Sequence, residues 1–193
     1  MFTKGTVAAA IAAALAAVAM ATAVPAKAAD AWEAARAKGT HLLMRHAIAP
    51  GTGDPANFTL GDCSTQRNLS DEGRGQAERI GAALKANAVP IDTVLTSQWC
   101  RARETAERLG FGPTEAEPAL NSFFGNRGDR DRQTEALKAR LFELDAAGMK
   151  AALVSHQVNI TALTGVYPAS GEIVVISLGD DGKVRVDGRI ETE

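Results

Sequence analysis

The chain has 193 residues, 46% of them hydrophobic and 23% charged, with 18 Gly, 7 Pro and 2 Cys. Those fractions exclude a disordered, collagen-like or disulfide-dense chain and suit one medium-sized domain with a substantial core. Lys+Arg of 21 against Asp+Glu of 23 leaves a net charge of −2, so no overall basic field points to nucleic acid. An anionic ligand must be held by a local cluster of Arg and His.

In chain order, Met1 to Lys4 give a short basic start and Gly5 to Val24 carry no charge. Pro25, Ala26, Lys27 and Ala28 then supply a break and an Ala-x-Ala site. That layout predicts a signal peptide over residues 1–28, cleaved before Ala29, with residues 29–193 as one domain. The competing reading is an uncleaved anchor. The stretch is mostly Ala and no basic stop-transfer cluster follows it, which favours cleavage. Losing Lys4 and Lys27 takes Lys+Arg from 21 to 19 and the net charge from −2 to −4. The expected product has no stable membrane span and is periplasmic or secreted.

Ala31 to Lys38 predicts a short helix, and Thr40 to Met44 a buried strand running into Arg45-His46. A Gly/Pro/Asp-rich loop covers Ala47 to about Asn68. Ser70 caps a helix reaching about Asn87, with Ala77, Ile80, Ala83 and Leu84 on one apolar face. Ile91 to Thr96 is the next strand and Cys100 to Leu109 the next helix. Glu115 to Arg130 reads as a long irregular stretch, and such loops in a compact domain are usually functional. Asp131 to Ala146 returns to helix, and Ala151 to Val154 is a buried strand ending at Ser155-His156. Ile173 to Leu178 and Val184 to Ile190 flank Gly179-Asp180-Asp181-Gly182, a hairpin signal. The alternation predicts an α/β three-layer sandwich with a mostly parallel central sheet and a C-terminal β-hairpin.

Three segments share one layout, an apolar strand emptying into polar residues: Leu42 to Ala47, Val94 to Ser97 leading to Arg101, and Leu153 to His156. Ligands of open α/β sheets sit outside the carboxyl ends of such strands. Two Arg and two His could converge there, and they suit a phosphate because guanidinium donors match its oxygens in pairs. A His among them can serve as nucleophile. Against this, His41 reads as structural, and Arg101, Arg103 and Arg108 could form a solvated face with Glu104 and Glu107. A metal site lacks support, since no carboxylate or thiolate stands at ligand spacing beside His46 or His156.

Leu43-Met44-Arg45-His46-Ala47 resembles the Arg-His-Gly signature of the histidine phosphatase (phosphoglycerate mutase-like) superfamily, with Ala for Gly. Ser97-x-x-x-Arg101-Ala102-x-Glu104-Thr105-Ala106 resembles its second block, and Leu153-Val154-Ser155-His156 its third. Asn68-Leu69-Ser70-x-x-Gly73-x-x-Gln76-Ala77 matches the helix start between the first two. The blocks agree in order and spacing over residues 40–180. The resemblance implies that His46 attacks phosphorus to form a phosphohistidine, which water hydrolyses. Arg45, Arg101 and His156 would hold the phosphoryl oxygens, with no metal and no cofactor.

The chain departs from the pattern where the general acid usually stands. The Pro-x-Leu-x-Glu context becomes Pro118-Ala119-Leu120-Asn121-Ser122, and the His-Asp of acid phosphatase relatives becomes His156-Gln157. The loop from Glu115 to Asp131 offers Glu117 and Asp129 as candidate acids, held about equal, with Asp131 behind them. Export and small size resemble lipopolysaccharide core heptose phosphatases, so the expected partner is a phosphorylated small molecule or envelope sugar phosphate. The alternative is an exported phosphate-ligand binding protein of the same fold with little or no turnover. An exported chain with two cysteines is a candidate for one disulfide, Cys63 to Cys100, against two buried thiols.

Overall fold

In a computed structural model, residues 26–191 are described. β1 (Thr40–Arg45) is apolar at consecutive positions because the sheet is covered on both faces. Successive side chains of a strand point to opposite sides, and the core divides accordingly. Leu42 and Met44 join a cluster with Ile80, Leu84, Ala102, Ala106 and Val154, whereas Leu43 joins Leu95, Leu137, Leu141, Leu153 and Ile160. The first cluster lies under α1 (Ala26–Arg36), α2 (Asp71–Ala86) and α3 (Cys100–Arg108). The second lies under α4 (Arg130–Ala146) and α5 (Gln157–Thr164). The result is the three-layer α/β sandwich expected from the alternation of elements.

The remaining strands are β2 (Thr93–Thr96), β3 (Thr114–Ala116), β4 (Ala151–Ser155), β5 (Ile173–Leu178) and β6 (Val184–Ile190). Their order across the six-stranded sheet is β3-β2-β4-β1-β5-β6. β3, β2, β4 and β1 run parallel, and β5 and β6 close the sheet as an antiparallel hairpin. Register places Arg45 opposite Ser155 and Thr96 opposite Val154. The carboxyl ends of β1, β4 and β2 therefore stop at one level, and the residues that follow them share one edge.

Two elements depart from the sequence reading. The stretch expected to be irregular begins inside β3, a three-residue edge strand whose pairing to β2 no local pattern announces. It also holds 3-10 turns at Pro118–Leu120 and Arg127–Asp129. α5 was not expected, because its eight residues are too few for a legible period. The expected signal peptide lies outside the described residues except for Ala26 to Ala28, which begin α1. Among the described residues no helix is long and apolar enough to cross a membrane.

α2 is placed by a close approach. Ser70 accepts a hydrogen bond from the Gly73 amide at 3.1 Å, and its own amide donates to the Ile48 carbonyl at 3.1 Å. A Cβ on Gly73 would stand 2.0 Å from that same carbonyl oxygen. Gly73 thus lets the helix start press against the loop that leaves His46. At the other end of α2 Gly81 lies against the Leu109 carbonyl, where a Cβ would stand at 2.2 Å.

Candidate active site

Beyond the ends of β1, β2 and β4 lies a cleft of about 770 Å³, roofed by the loop after His46 and by residues 122–129. His46 is 2% exposed. Its amide donates to the Ser155 carbonyl at 3.0 Å, and its Nδ1 donates to the Ala47 carbonyl at 2.8 Å. That second bond puts the ring proton on Nδ1 and leaves the Nε2 lone pair free. Burial, then the charge of Arg101, pushes the His46 pKa down to about 3. The ring is therefore a neutral base at ordinary pH.

His156 follows β4, with its ring centroid 5.4 Å from that of His46. Its Nε2 lies 2.8 Å from Ser97 Oγ, which stands 3.3 Å from Asn121 Oδ1. An amide oxygen only accepts, so the Ser97 hydroxyl proton goes to Asn121 Oδ1 and His156 Nε2–H donates to Ser97 Oγ. Burial, then the neighbouring His46 and Arg101, holds the His156 pKa well below its usual value.

Arg45 ends β1, and its NH1 donates to the Pro168 carbonyl at 3.0 Å, while its buried Nε has no partner. Arg101, in the first turn of α3, likewise has a buried Nε without a partner. Two orphaned guanidinium donors beside a neutral imidazole make a site built for an oxyanion. His41, by contrast, is structural as expected. Its Nδ1 accepts from the Ala151 amide at 3.2 Å and its Nε2 donates to Asp145 at 3.1 Å.

Three cleft residues were not found from sequence. Asp54 accepts from both terminal nitrogens of Arg101 and from Trp99 Nε1 at 3.0 Å. Burial alone would raise the Asp54 carboxyl, but Arg101 and Trp99 outweigh it and hold the pKa below the usual value. Arg67 donates from Nε to the Gly53 carbonyl at 2.8 Å and from NH1 to the Ala49 carbonyl. Burial, then Arg101, pushes its pKa down to about 10. Asp54 sits in a Gly/Pro-rich loop without periodicity, so its partner was invisible. Arg67 and Trp99 each stand beside a recognisable block, Arg67 before Asn68-Leu69-Ser70 and Trp99 before Cys100-Arg101. That adjacency was the one available signal.

The two candidate acids part company. Asp129 lines the cleft, accepting from Asn126 Nδ2 at 2.9 Å and from Arg132 at 2.5 Å. Glu117 does not line it. The turn at Pro118 aims its carboxylate at the Ala119 amide, 2.9 Å away, and at Arg140, 3.4 Å away. Of the two, Asp129 stands at the cleft and Glu117 does not. Asn121 is occupied in bonds to Gln98 and Ser97, and Ser122 and Gln157, at the two positions where the resembled patterns carry an acid, line the cleft.

Cys63 and Cys100 are bridged, with Cα atoms 5.7 Å apart, and among the described residues no free cysteine remains. The bridge ties the loop carrying Asp54 and Arg67 to the start of α3. Among the described residues no three His, Cys, Asp or Glu side chains gather as a metal site.

A family model described as histidine phosphatase superfamily (branch 1) matches residues 42–141, more than half of the chain. The chain belongs to that superfamily. The match spans the Arg-His motif, the helix start and the second block, and ends before His156. No curated protein matches significantly. Among solved structures, the protein histidine phosphatase SixA complexed with tungstate is 22% identical, with 79% of this chain and 96% of that one covered and a TM-score of 0.58. A mycobacterial glucosyl-3-phosphoglycerate phosphatase complexed with VO3 is 17% identical, covering 79% and 98%, with a TM-score of 0.56. A phosphoserine phosphatase from Entamoeba histolytica in complex with 3-phosphoglyceric acid is 15% identical, covering 80% and 98%, with a TM-score of 0.56. At these identities the likenesses show the fold that the family shares.

Proposed function

We propose that this histidine phosphatase is a metal-independent phosphomonoesterase acting through a phosphohistidine on His46. The observation that carries the reading is the His46 ring, held neutral with Nε2 free by its bond to the Ala47 carbonyl. Around it stand Arg45, Arg67 and Arg101, whose charges all act on it. In the first step Nε2 bonds to phosphorus, the ester P–O bond breaks, and the leaving oxygen takes a proton. In the second, water attacks the phosphorus and the P–N bond breaks, which returns neutral His46 and inorganic phosphate. The guanidiniums, with His156 beside them, stabilise charge on the transferring oxygens, so the cations are supplied by side chains.

Asp129 is the proposed donor to the leaving oxygen. The substrate reading is a sugar phosphate of the cell envelope, reached in the periplasm or outside the cell after cleavage of residues 1–28. The Cys63–Cys100 bridge supports export, because disulfides persist in oxidising compartments. The hydroxyl of Ser122 and the amide of Gln157, at the two usual places for the acid, favour a second reading, a binding protein of this fold with little turnover. A panel of phosphomonoesters with measured phosphate release separates the two. Release that disappears in His46→Ala supports the enzyme, and saturable binding without release supports the binder.

A further inference from the structure

The guanidinium of Arg101 is 3% exposed, and its donors divide between two edges. On the terminal edge NH1 and NH2 donate to the two oxygens of Asp54, at 2.6 and 3.1 Å. NH1 also donates to the Arg67 carbonyl at 3.3 Å. On the side edge, the buried Nε has no partner. A planar guanidinium carries two parallel donor pairs, NH1 with NH2 and Nε with NH2, each matched to two oxygens of an oxyanion. With the terminal pair taken, the side pair is the one left for a phosphoryl group. A buried donor left unpaired is costly, which is why such an edge is expected to have a ligand.

Asp54 is itself held fast. Besides Arg101, its Oδ2 accepts from Trp99 Nε1 at 3.0 Å and its Oδ1 from the Arg67 amide at 3.2 Å. Four hydrogen bonds on one carboxylate fix its plane, and through it the plane of Arg101. Trp99 in turn stacks on Phe58 with centroids 5.1 Å apart, so the whole assembly is anchored by the loop and the start of α3.

We propose that Asp54 is a positioning residue that grips the terminal edge of Arg101 and so presents its Nε edge to the transferring phosphoryl group. The proposal rests on the phosphatase reading and extends it to a residue outside the motif blocks. Two other roles would use the same carboxylate. It could occlude Arg101 as a stand-in for phosphate, or it could protonate the leaving group. The three roles differ in sign and in substrate dependence. By charge alone, removing a carboxylate from the cleft should tighten oxyanion binding. Loss of positioning should weaken it.

The experiment uses the purified chain with its disulfide formed and tungstate as probe, with binding measured by calorimetry. Turnover of one aryl and one alkyl phosphate is measured beside it. Asp54→Asn is expected to weaken tungstate about tenfold and to lower kcat/KM on both substrates alike. In an Arg101→Ala background the same substitution should change neither by more than about twofold. Trp99→Phe, which removes one hold on Asp54, should weaken tungstate in the same direction and only while Arg101 is present. It serves where Asp54→Asn fails to fold. Tighter binding by Asp54→Asn overturns the proposal in favour of occlusion, and loss confined to the alkyl substrate overturns it in favour of an acid. Equal losses with and without Arg101 reduce Asp54 to a structural residue. If the wild type binds tungstate but releases no phosphate, the phosphatase reading fails while the binding comparison still decides on Asp54. If it binds no tungstate, both fail.

Discussion

His46, the proposed nucleophile, is buried, and the surroundings that bury it also keep it neutral. A pKa pushed down to about 3 by burial and Arg101 keeps its lone pair available. In the proposed mechanism the neighbouring guanidiniums that lower it also meet the phosphoryl oxygens. His46→Ala should abolish both turnover and labelling by a phosphoryl donor, and acid-labile, base-stable phosphate on the wild type should map to His46. Arg101→Lys keeps the charge but loses the planar pair of donors, so kcat/KM should fall about tenfold or more. The leaving-group acid is read from a comparison of substrates. Asp129→Asn should lose alkyl phosphate turnover while largely keeping aryl phosphates, because a good leaving group needs no proton. Glu117→Gln, facing Arg140, should leave that ratio unchanged. An alkyl-specific loss in Glu117→Gln would reverse the assignment.

At the scale of elements, the start of α2 and the disulfide hold the cleft roof from two sides. Gly73→Ala drives a Cβ into the Ile48 carbonyl, and the helix and the loop after His46 cannot both keep their places. Overpacking of this kind costs about 2 kcal/mol or more, and here it should also lower kcat/KM because the displaced loop carries Asp54. Gly81→Ala meets the Leu109 carbonyl with similar severity but far from the cleft. It should lower the melting temperature comparably while sparing activity below the transition. Equal loss of activity in both variants would show that the loop after His46 does not transmit the effect. The Cys63–Cys100 bridge closes a separation of 37 residues, for which chain entropy predicts about 4 kcal/mol. Thiol counting on denatured, unreduced protein should find no reactive thiol, and reduction should lower the melting temperature.

For the whole molecule, three buried imidazoles set the response to acid. His41, His46 and His156 are all held below the ordinary value of 6.5, by burial first in each case. Below that value the unfolded chain takes up protons that the folded chain refuses, so stability rises with pH and is lost as pH falls. Each neutral buried imidazole contributes up to about 1.4 kcal/mol per pH unit between 6.5 and its folded pKa. For His46 that window extends down to about 3. Denaturant midpoints measured between pH 7 and 4 should fall steadily, and His41→Gln should flatten the slope without entering the cleft. A flat profile would mean that the imidazoles charge without unfolding.

Much of this protein is legible in its sequence because the informative patterns are local. The buried strand Leu42-Leu43-Met44, the cap at Ser70, the apolar face of α2 and the terminal hairpin each depend on neighbours within a few residues. Arg45, His46, Arg101 and His156 could be placed near one edge for the same reason: each ends or follows a strand or opens a helix, and parallel strands in register bring such ends together. What tertiary structure alone decided lies in loops, where no period ties a residue to its partner. The Asp54–Arg101 pair joins residues 47 positions apart, through a segment whose path is set by the Cys63–Cys100 bridge and by Arg67 bonding to loop carbonyls. Glu117 and Asp129 looked alike as solvated loop carboxylates, and the turn at Pro118 separated them. Side-chain type and strand order determine which groups can meet at the cleft; the direction in which each loop carboxylate points depends on packing that only the folded chain supplies.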